Sequence, residues 1–319
     1  MKLNNQFETV ACPVCAHSEL TPYLQVPDRF DLEGGHRFNI VRCTRCKHAF
    51  LNPRPGRNKI SKYYQHEAYQ PFLSTQEKKR GLDYVYDLSR RFSIEWKRKM
   101  IEQMVSVGKI LDVGCGTGEF LHHMQTHGWE VAGIETDSKA VEFARNHYHL
   151  RVFHSEIEQI DLKEELFQVI TFWHVLEHVY EPVEILKKLR EHLQQDGLMV
   201  IAAPNYTSLD ATFYGSYWVA WDAPRHLHHF TPPVMETIAR LAGLSLVGIK
   251  PMILDAFYNC LMSELLKIHH KRYLKFVVPL LAMRAVCIAM ISLAYATRLF
   301  SGSKKASAII YFLKRKGSS

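Results

Sequence analysis

The sequence predicts an α/β fold, a mostly parallel sheet with helices on both faces, and three observations carry the prediction. Between Lys109 and Ile249, apolar runs of strand length alternate with amphipathic runs of helix length. Strands separated by helices form a parallel sheet that must be covered on both sides. The first run ends in a glycine loop, Gly114-Cys115-Gly116-Thr117-Gly118, where such a sheet opens its carboxyl edge to a ligand. In front of this pattern stand two C-x-x-C pairs, Cys12-Pro-Val-Cys15 and Cys43-Thr-Arg-Cys46, which mark a separate small unit.

In chain order, Lys109 to Val113 is the first strand, and a helix carrying Phe120, Leu121 and Met124 follows, stopped by Gly128. Glu130 to Ile134 is the second strand, ending at Glu135; Ser138 caps a helix through Val141 and Ala144. Arg151 to Phe153 and Phe167 to Trp173 are the third and fourth. Pro182 opens a helix through Leu193 that ends by Gly197, and Leu198 to Ala202 is the fifth strand. Thr231 and Pro232 start another helix, closed by Gly243, before a sixth strand from Leu244 to Ile249.

Residues 1–55 form the zinc-ribbon-like unit. Two knuckles place four thiolates, Cys12, Cys15, Cys43 and Cys46, around a tetrahedral zinc, and a segment this short needs a metal to fold. Four thiolates leave no open position, so the zinc is expected to be structural. His17 and His48 each follow a knuckle by two residues and read as solvated. Residues 56–107 read as two or three helices, either a packed linker or a lid over a ligand, with Tyr63, Tyr64 and Tyr69 grouped inside.

The net charge of +8 is unevenly spread. From Ala256 to Ser319 there are eleven Lys or Arg against one acid, Glu264, so the remainder is slightly acidic. Met1 to Ala11 has no apolar core of signal-peptide length, and the cysteines suit a reducing compartment, so the cytoplasm is the expected location. The longest uncharged run in the tail, Ala285 to Thr297, is about 13 residues, shorter than the 18 or more of a spanning helix.

The glycine spacing departs from a dinucleotide fingerprint, which needs glycine where Glu119 stands. Instead, Leu111-Asp112-Val113-Gly114-Cys115-Gly116-Thr117-Gly118, Glu135, Ser155-Glu156 and His174-Val-Leu-Glu177-His178 together resemble class I S-adenosylmethionine (SAM) methyltransferases. Pro204-Asn205 and Trp221-Asp-Ala-Pro-Arg225-His226-Leu-His228-His229-Phe230-Thr narrow the resemblance to a branch with quinone-type O-methyltransferases and enzymes of saccharide biosynthesis. It is close from Ile110 to Ile249 and weaker over the linker and tail.

The resemblance implies a Rossmann-like sheet of seven strands over residues 108–319, the last two forming an antiparallel hairpin. Ala308 to Leu313 is then the seventh strand, and 251–305 a helical insertion of basic and apolar residues. It also implies that Asp112, Gly114, Gly116, Gly118, Glu135, Ser155, Glu156 and His174 hold SAM: Glu135 at the ribose hydroxyls, Ser155 or Glu156 at the adenine, His174 at the methionine end. Methyl transfer needs the acceptor positioned and its proton removed. His174, His226, His228 and His229 are placed for that removal; His226 comes first, with a structural anchor as its alternative, followed by His229 and His174. Arg225 either holds an acidic group of the acceptor or pairs with Asp222.

The expected reaction is methylation of a hydroxyl, in preference to a carbon, on a small-molecule, saccharide or lipid-like acceptor. An RNA methyltransferase and a non-catalytic cofactor-binding protein are the alternatives. Nucleic acid is disfavoured because the charge lies in an apolar tail rather than beside aromatic platforms. The insertion suits an anionic membrane surface, a homodimer interface or a lid.

Overall fold

The computed structural model describes residues 6–31, 35–65, 82–270, 283–291 and 303–317. Its central sheet has seven strands: β6 (Lys109–Val113), β7 (Glu130–Glu135), β8 (Val152–His154), β9 (Phe167–Trp173), β10 (Leu193–Pro204), β12 (Leu244–Pro251) and β13 (Ala308–Arg315). They lie in the order β12-β13-β10-β9-β6-β7-β8. The pairings from β8 through β10 are parallel, and β13 runs antiparallel to both β10 and β12. All seven predicted strands are present, the closing hairpin included.

Alternation along each strand supplies the two cores. Leu111, Val113, Met199 and Ile201 pack with α4 (Pro182–Glu191) and α6 (Pro232–Leu241), which the short α5 (Leu209–Tyr214) separates in the chain. Ile110, Leu198 and Val200 point the other way, toward α2 (Glu119–Thr126), α3 (Ser138–Tyr148) and the end of α1 (Leu82–Glu102). Because side chains alternate with period 2, every central strand must be apolar on both faces, which is why these runs read as nearly continuous hydrophobics.

Two boundaries differ from expectation. Ser138 is the first residue of α3, not its cap: Asp137 is extended and its side chain accepts from the amides of Lys139 (2.8 Å) and Ala140 (3.0 Å). A carboxylate there also meets the positive end of the helix dipole. Helix α4 stops at Glu191 rather than running through Leu193. Leu193 instead pairs with Phe167 and begins β10, which is irregular between Leu193 and Leu198.

The N-terminal residues make a second sheet from β2 (Leu20–Pro27), β3 (Arg37–Cys43) and β4 (Ala49–Leu51), beside a small β1 (Phe7–Glu8) and β5 (Arg54–Pro55) pair. A fourth strand joins this sheet from far along the chain. β11 is only His228–His229, yet it pairs antiparallel with β4, His228 opposite Phe50 and His229 opposite Ala49. The amide of Leu51 donates to the Leu227 carbonyl at 2.9 Å. Cys12, Cys43 and Phe50 pack in the same core as Leu111 and α4. The metal-type unit and the histidine-rich loop are therefore one packed structure. His48 is accordingly not solvated but fully buried, its Nε2 3.0 Å from His228 Nδ1.

Part of the linker, including Tyr69, lies outside the described residues. In the insertion, α7 (Ile253–His270) and residues 283–291 are helical, while Lys271, Arg272, Lys275, Pro279 and Arg298 lie outside them. Tyr258, Leu261, Leu265, Met283, Val286, Met290 and Ile291 are exposed on these helices. Among the described residues no helix is long and apolar enough to cross a membrane.

Candidate active site

The carboxyl ends of β6, β7 and β9 converge on one edge of the sheet, and the glycine loop caps it. The amides of Gly114 and Cys115 both donate to the Ile134 carbonyl, at 2.8 and 3.1 Å, which folds the loop against β7. Gly114 has φ +68°, and a Cβ there would stand 2.5 Å from Cγ2 of Val175. Gly116 also has positive φ, but a Cβ there would meet nothing within 4 Å, so its backbone faces open space. The first glycine thus serves packing and the second leaves room for a ligand. Gly114→Ala is expected to cost about 1–3 kcal/mol from the left-handed backbone alone, before the clash, seen as a lowered Tm.

Glu135, at the end of β7, is held in place by main chain. Its Oε2 accepts from the Gly116 amide at 2.9 Å; its Oε1 accepts from the amides of Thr136 (2.7 Å) and Asp137 (2.9 Å). The Thr136 hydroxyl also donates to Oε1, at 3.3 Å, so the free lone pair is on Oε2, which accepts only the Gly116 amide and stands beside that residue's open face. Ser155 comes alongside, its amide bonded to the Glu135 carbonyl at 3.1 Å, and Glu156 is exposed. Gly118 turns the chain into α2 with φ +81°.

Asp112 lies beneath the loop, buried, its Oδ1 accepting from Thr171 Oγ1 at 2.5 Å. Burial pushes its carboxyl up to about 7 against the pull of Thr171 and Lys97. Lys97, on α1, crosses the Trp173 ring at 4.1 Å. Burial lowers its ammonium's pKa against the attraction of Asp255 and Asp112. No motif pointed to Lys97 or Asp255; helix packing brings both to the site.

After β9, His174 takes a left-handed backbone, φ +57°, and stands between two carboxylates. Its Nε2 is 2.7 Å from Asp255 Oδ2 and its Nδ1 3.3 Å from Glu177 Oε1. Burial alone would depress this imidazole, but Asp255 and Glu177 outweigh it and raise it to about 10. A His held charged in the fold contributes stability that is complete below its unfolded value of about 6.5. That contribution is lost as pH rises through about 10, and it is muted because the side chain is one-third exposed. Asp255→Asn is expected to bring the His174 titration down by more than one pH unit, read from its ring proton shifts by NMR.

The histidine-rich loop is interior. Arg225 is 1 % exposed, its Nε 2.8 Å from Asp222 and its Nη2 2.6 Å from Asp28. Of its two expected roles, pairing with Asp222 is the one observed. His226 is buried, Nδ1 2.9 Å from the Ala220 carbonyl, and burial followed by His178 lowers it to about 4. His229 packs edge-on against Trp221 within β11, held well below the ordinary range by burial. The loop is pinned to the turn after β9 by the Leu227 amide, which donates to the Glu177 carbonyl at 2.8 Å.

Away from this edge, the thiols of Cys12, Cys15, Cys43 and Cys46 lie within 4.8 Å of one another, Cys12–Cys46 at 3.5 Å and Cys15–Cys43 at 3.6 Å. A tetrahedral zinc with bonds of about 2.3 Å needs sulfurs about 3.8 Å apart, so the cluster has the right dimensions.

A family model described as a methyltransferase domain matches residues 73–248. Ubiquinone biosynthesis O-methyltransferase of Cereibacter sphaeroides is 27% identical over 186 residues, 54% of this chain and 74% of the relative. The protein of the same name in Glaesserella parasuis is 34% identical over 134 residues, 38% of this chain and 57% of the relative. Among solved structures, a SAM dependent methyltransferase from Archaeoglobus fulgidus aligns with a TM-score of 0.45 at 18% identity, covering 74% of this chain and 100% of that one.

Proposed function

This chain belongs to the methyltransferase-domain family and is a SAM-dependent methyltransferase; from that premise we propose that it methylates a hydroxyl, in preference to a carbon, of a small-molecule, saccharide or lipid-like acceptor. The observation that carries the reading is the Glu135 carboxylate, fixed by three main-chain amides beside the open face of Gly116. That arrangement suits a vicinal diol such as the SAM ribose. Asp112, Gly114, Gly118, Ser155, Glu156 and His174 complete the cofactor side of this proposal. On the acceptor side stands His226, ahead of His229, which is locked in β11, and of His174, whose two ring nitrogens both face carboxylates. The relatives named for ubiquinone biosynthesis support an oxygen acceptor.

The deciding experiment is incubation with methyl-labelled SAM and cell extract fractionated into lipid, saccharide and RNA. Label in a quinol, lipid or saccharide hydroxyl is expected; label in RNA would overturn the acceptor assignment.

The cysteine cluster is proposed to hold one structural zinc. The insertion, with its exposed apolar helix faces and basic composition, is proposed to rest on an anionic membrane surface. The protein should then sediment with anionic lipid vesicles at low salt and leave them at high salt. A dimer that a deletion of 257–300 turns into a monomer would assign those faces to self-association instead.

A further inference from the structure

We propose that Asp255, carried by the insertion, is a positioning residue for methyl transfer: acting through His174, it holds the turn after β9 on which the glycine loop and the histidine-rich loop both rest. The turn, His174 to His178, is a junction of three contacts. Its Val175 packs so close to Gly114 that a Cβ there would stand 2.5 Å from Val175 Cγ2, so the turn props the glycine loop. Its Glu177 carbonyl accepts from the Leu227 amide at 2.8 Å, so it also anchors the loop that carries His226. Its His174 side chain reaches the insertion, Nε2 lying 2.7 Å from Asp255 Oδ2. What the two loops bind rests on the methyltransferase reading; the contacts themselves do not.

The turn needs this support. His174 has φ +57°, a left-handed backbone that a residue other than glycine keeps only where its surroundings enforce it. Glu177 is fully buried, its carboxylate has no hydrogen-bond partner, and it pairs with His174 Nδ1 at 3.3 Å. A carboxylate at that depth is tolerated only beside a positive charge. The second carboxylate, Asp255, on the opposite ring nitrogen, keeps the proton on the imidazole against its partial burial. Asp255 stands in the first turn of α7, which is fixed in place further along. Asn259 Nδ2 donates to Ser307 Oγ at 2.8 Å, and Ser263 Oγ accepts from the Val219 amide at 2.9 Å. The other titratable groups packed here are Lys97 of α1, which faces Asp255 and Asp112, and, beside Glu177, His178 and His226.

Without the Asp255 charge, His174 loses its proton at a lower pH. Above that pH Glu177 is a buried charge with no counter-ion in its own turn. The turn then yields and loosens Gly114 and Leu227 together.

The test titrates the full chain, natural and Asp255→Asn, with SAM by calorimetry at about pH 6 and about pH 9, and follows hydrogen exchange at the Leu227 amide. The ratio of variant to natural affinity cancels the titration of SAM's own α-ammonium. Affinities within a few-fold of each other at the lower pH and a loss of about fivefold or more at the higher one are expected. Leu227 should lose protection, relative to the natural chain, over the same interval, and Asp255→Glu should restore both. A ratio that is the same at the two pH values overturns the proposal, and a uniform loss with a lowered Tm would mark packing alone. Failure of the natural chain to bind SAM would instead strike the methyltransferase reading, while Leu227 protection would still decide for or against Asp255.

Discussion

Glu135→Ala is expected to weaken SAM binding by at least about 10–10²-fold while the sheet stays folded. The lone pair free on Oε2 offers one charge-assisted bond to a ribose hydroxyl, worth about 1.5–3 kcal/mol, or about 10–10²-fold in affinity. The same side chain also orders the amides of Gly116, Thr136 and Asp137, so some of the loss will come from a looser loop. Glu135→Gln separates the contributions: it keeps the shape but loses the charge that strengthens the bond, and should fall between the natural and alanine chains. Calorimetric titration of each variant with SAM decides it, and unchanged affinity in the alanine variant would remove Glu135 from the cofactor site.

Cys43→Ser, or removal of the zinc proposed for the cysteine cluster, should have the largest effect on stability and should not stay local. A structural zinc contributes on the order of 10 kcal/mol to the fold of its unit. The affected unit includes β4, and β4 holds β11. Hydrogen exchange is therefore expected to show lost protection at the amides of the β4–β11 pair and of Leu51, with β6 and β7 still protected. Protection retained at that pair would mean the loop stands without the metal unit. Because His226, the proposed acceptor-side histidine, lies in that same loop, acceptor turnover should fall more steeply than SAM affinity.

The sequence made the sheet legible because its strands are buried on both faces and read as short apolar runs between punctuating glycines and prolines. Glu135 and the glycine loop were legible because their spacing reports a backbone geometry. Pairings made across long separations were not. Nothing near His48 signals burial, since its cover is His228 and Phe230, contributed by a distant loop. Asp255 is an ordinary first-turn acid of α7 until the fold sets it against His174. Arg225 looked equally fit for a ligand or for Asp222; Asp28, from the N-terminal unit, completes its buried pairing. Those contacts belong to tertiary packing, which local pattern does not encode.

The strand made of His228 and His229 has a consequence for how the chain is made. Its partner β4 ends at Leu51, so the ribosome must add more than 170 residues before the N-terminal sheet can be completed. At about 5–20 residues per second that interval is on the order of ten to forty seconds. Throughout it the nascent chain carries an open sheet edge and buried-type side chains such as Phe50 without their cover. Early capture of the proposed metal by the four cysteines, all of which precede β4 in the chain, would hold the unit together until its last strand arrives. If the cluster takes up the proposed zinc, metal-starved cells should therefore accumulate aggregated nascent chains of this protein, even where the assembled form holds the metal tightly.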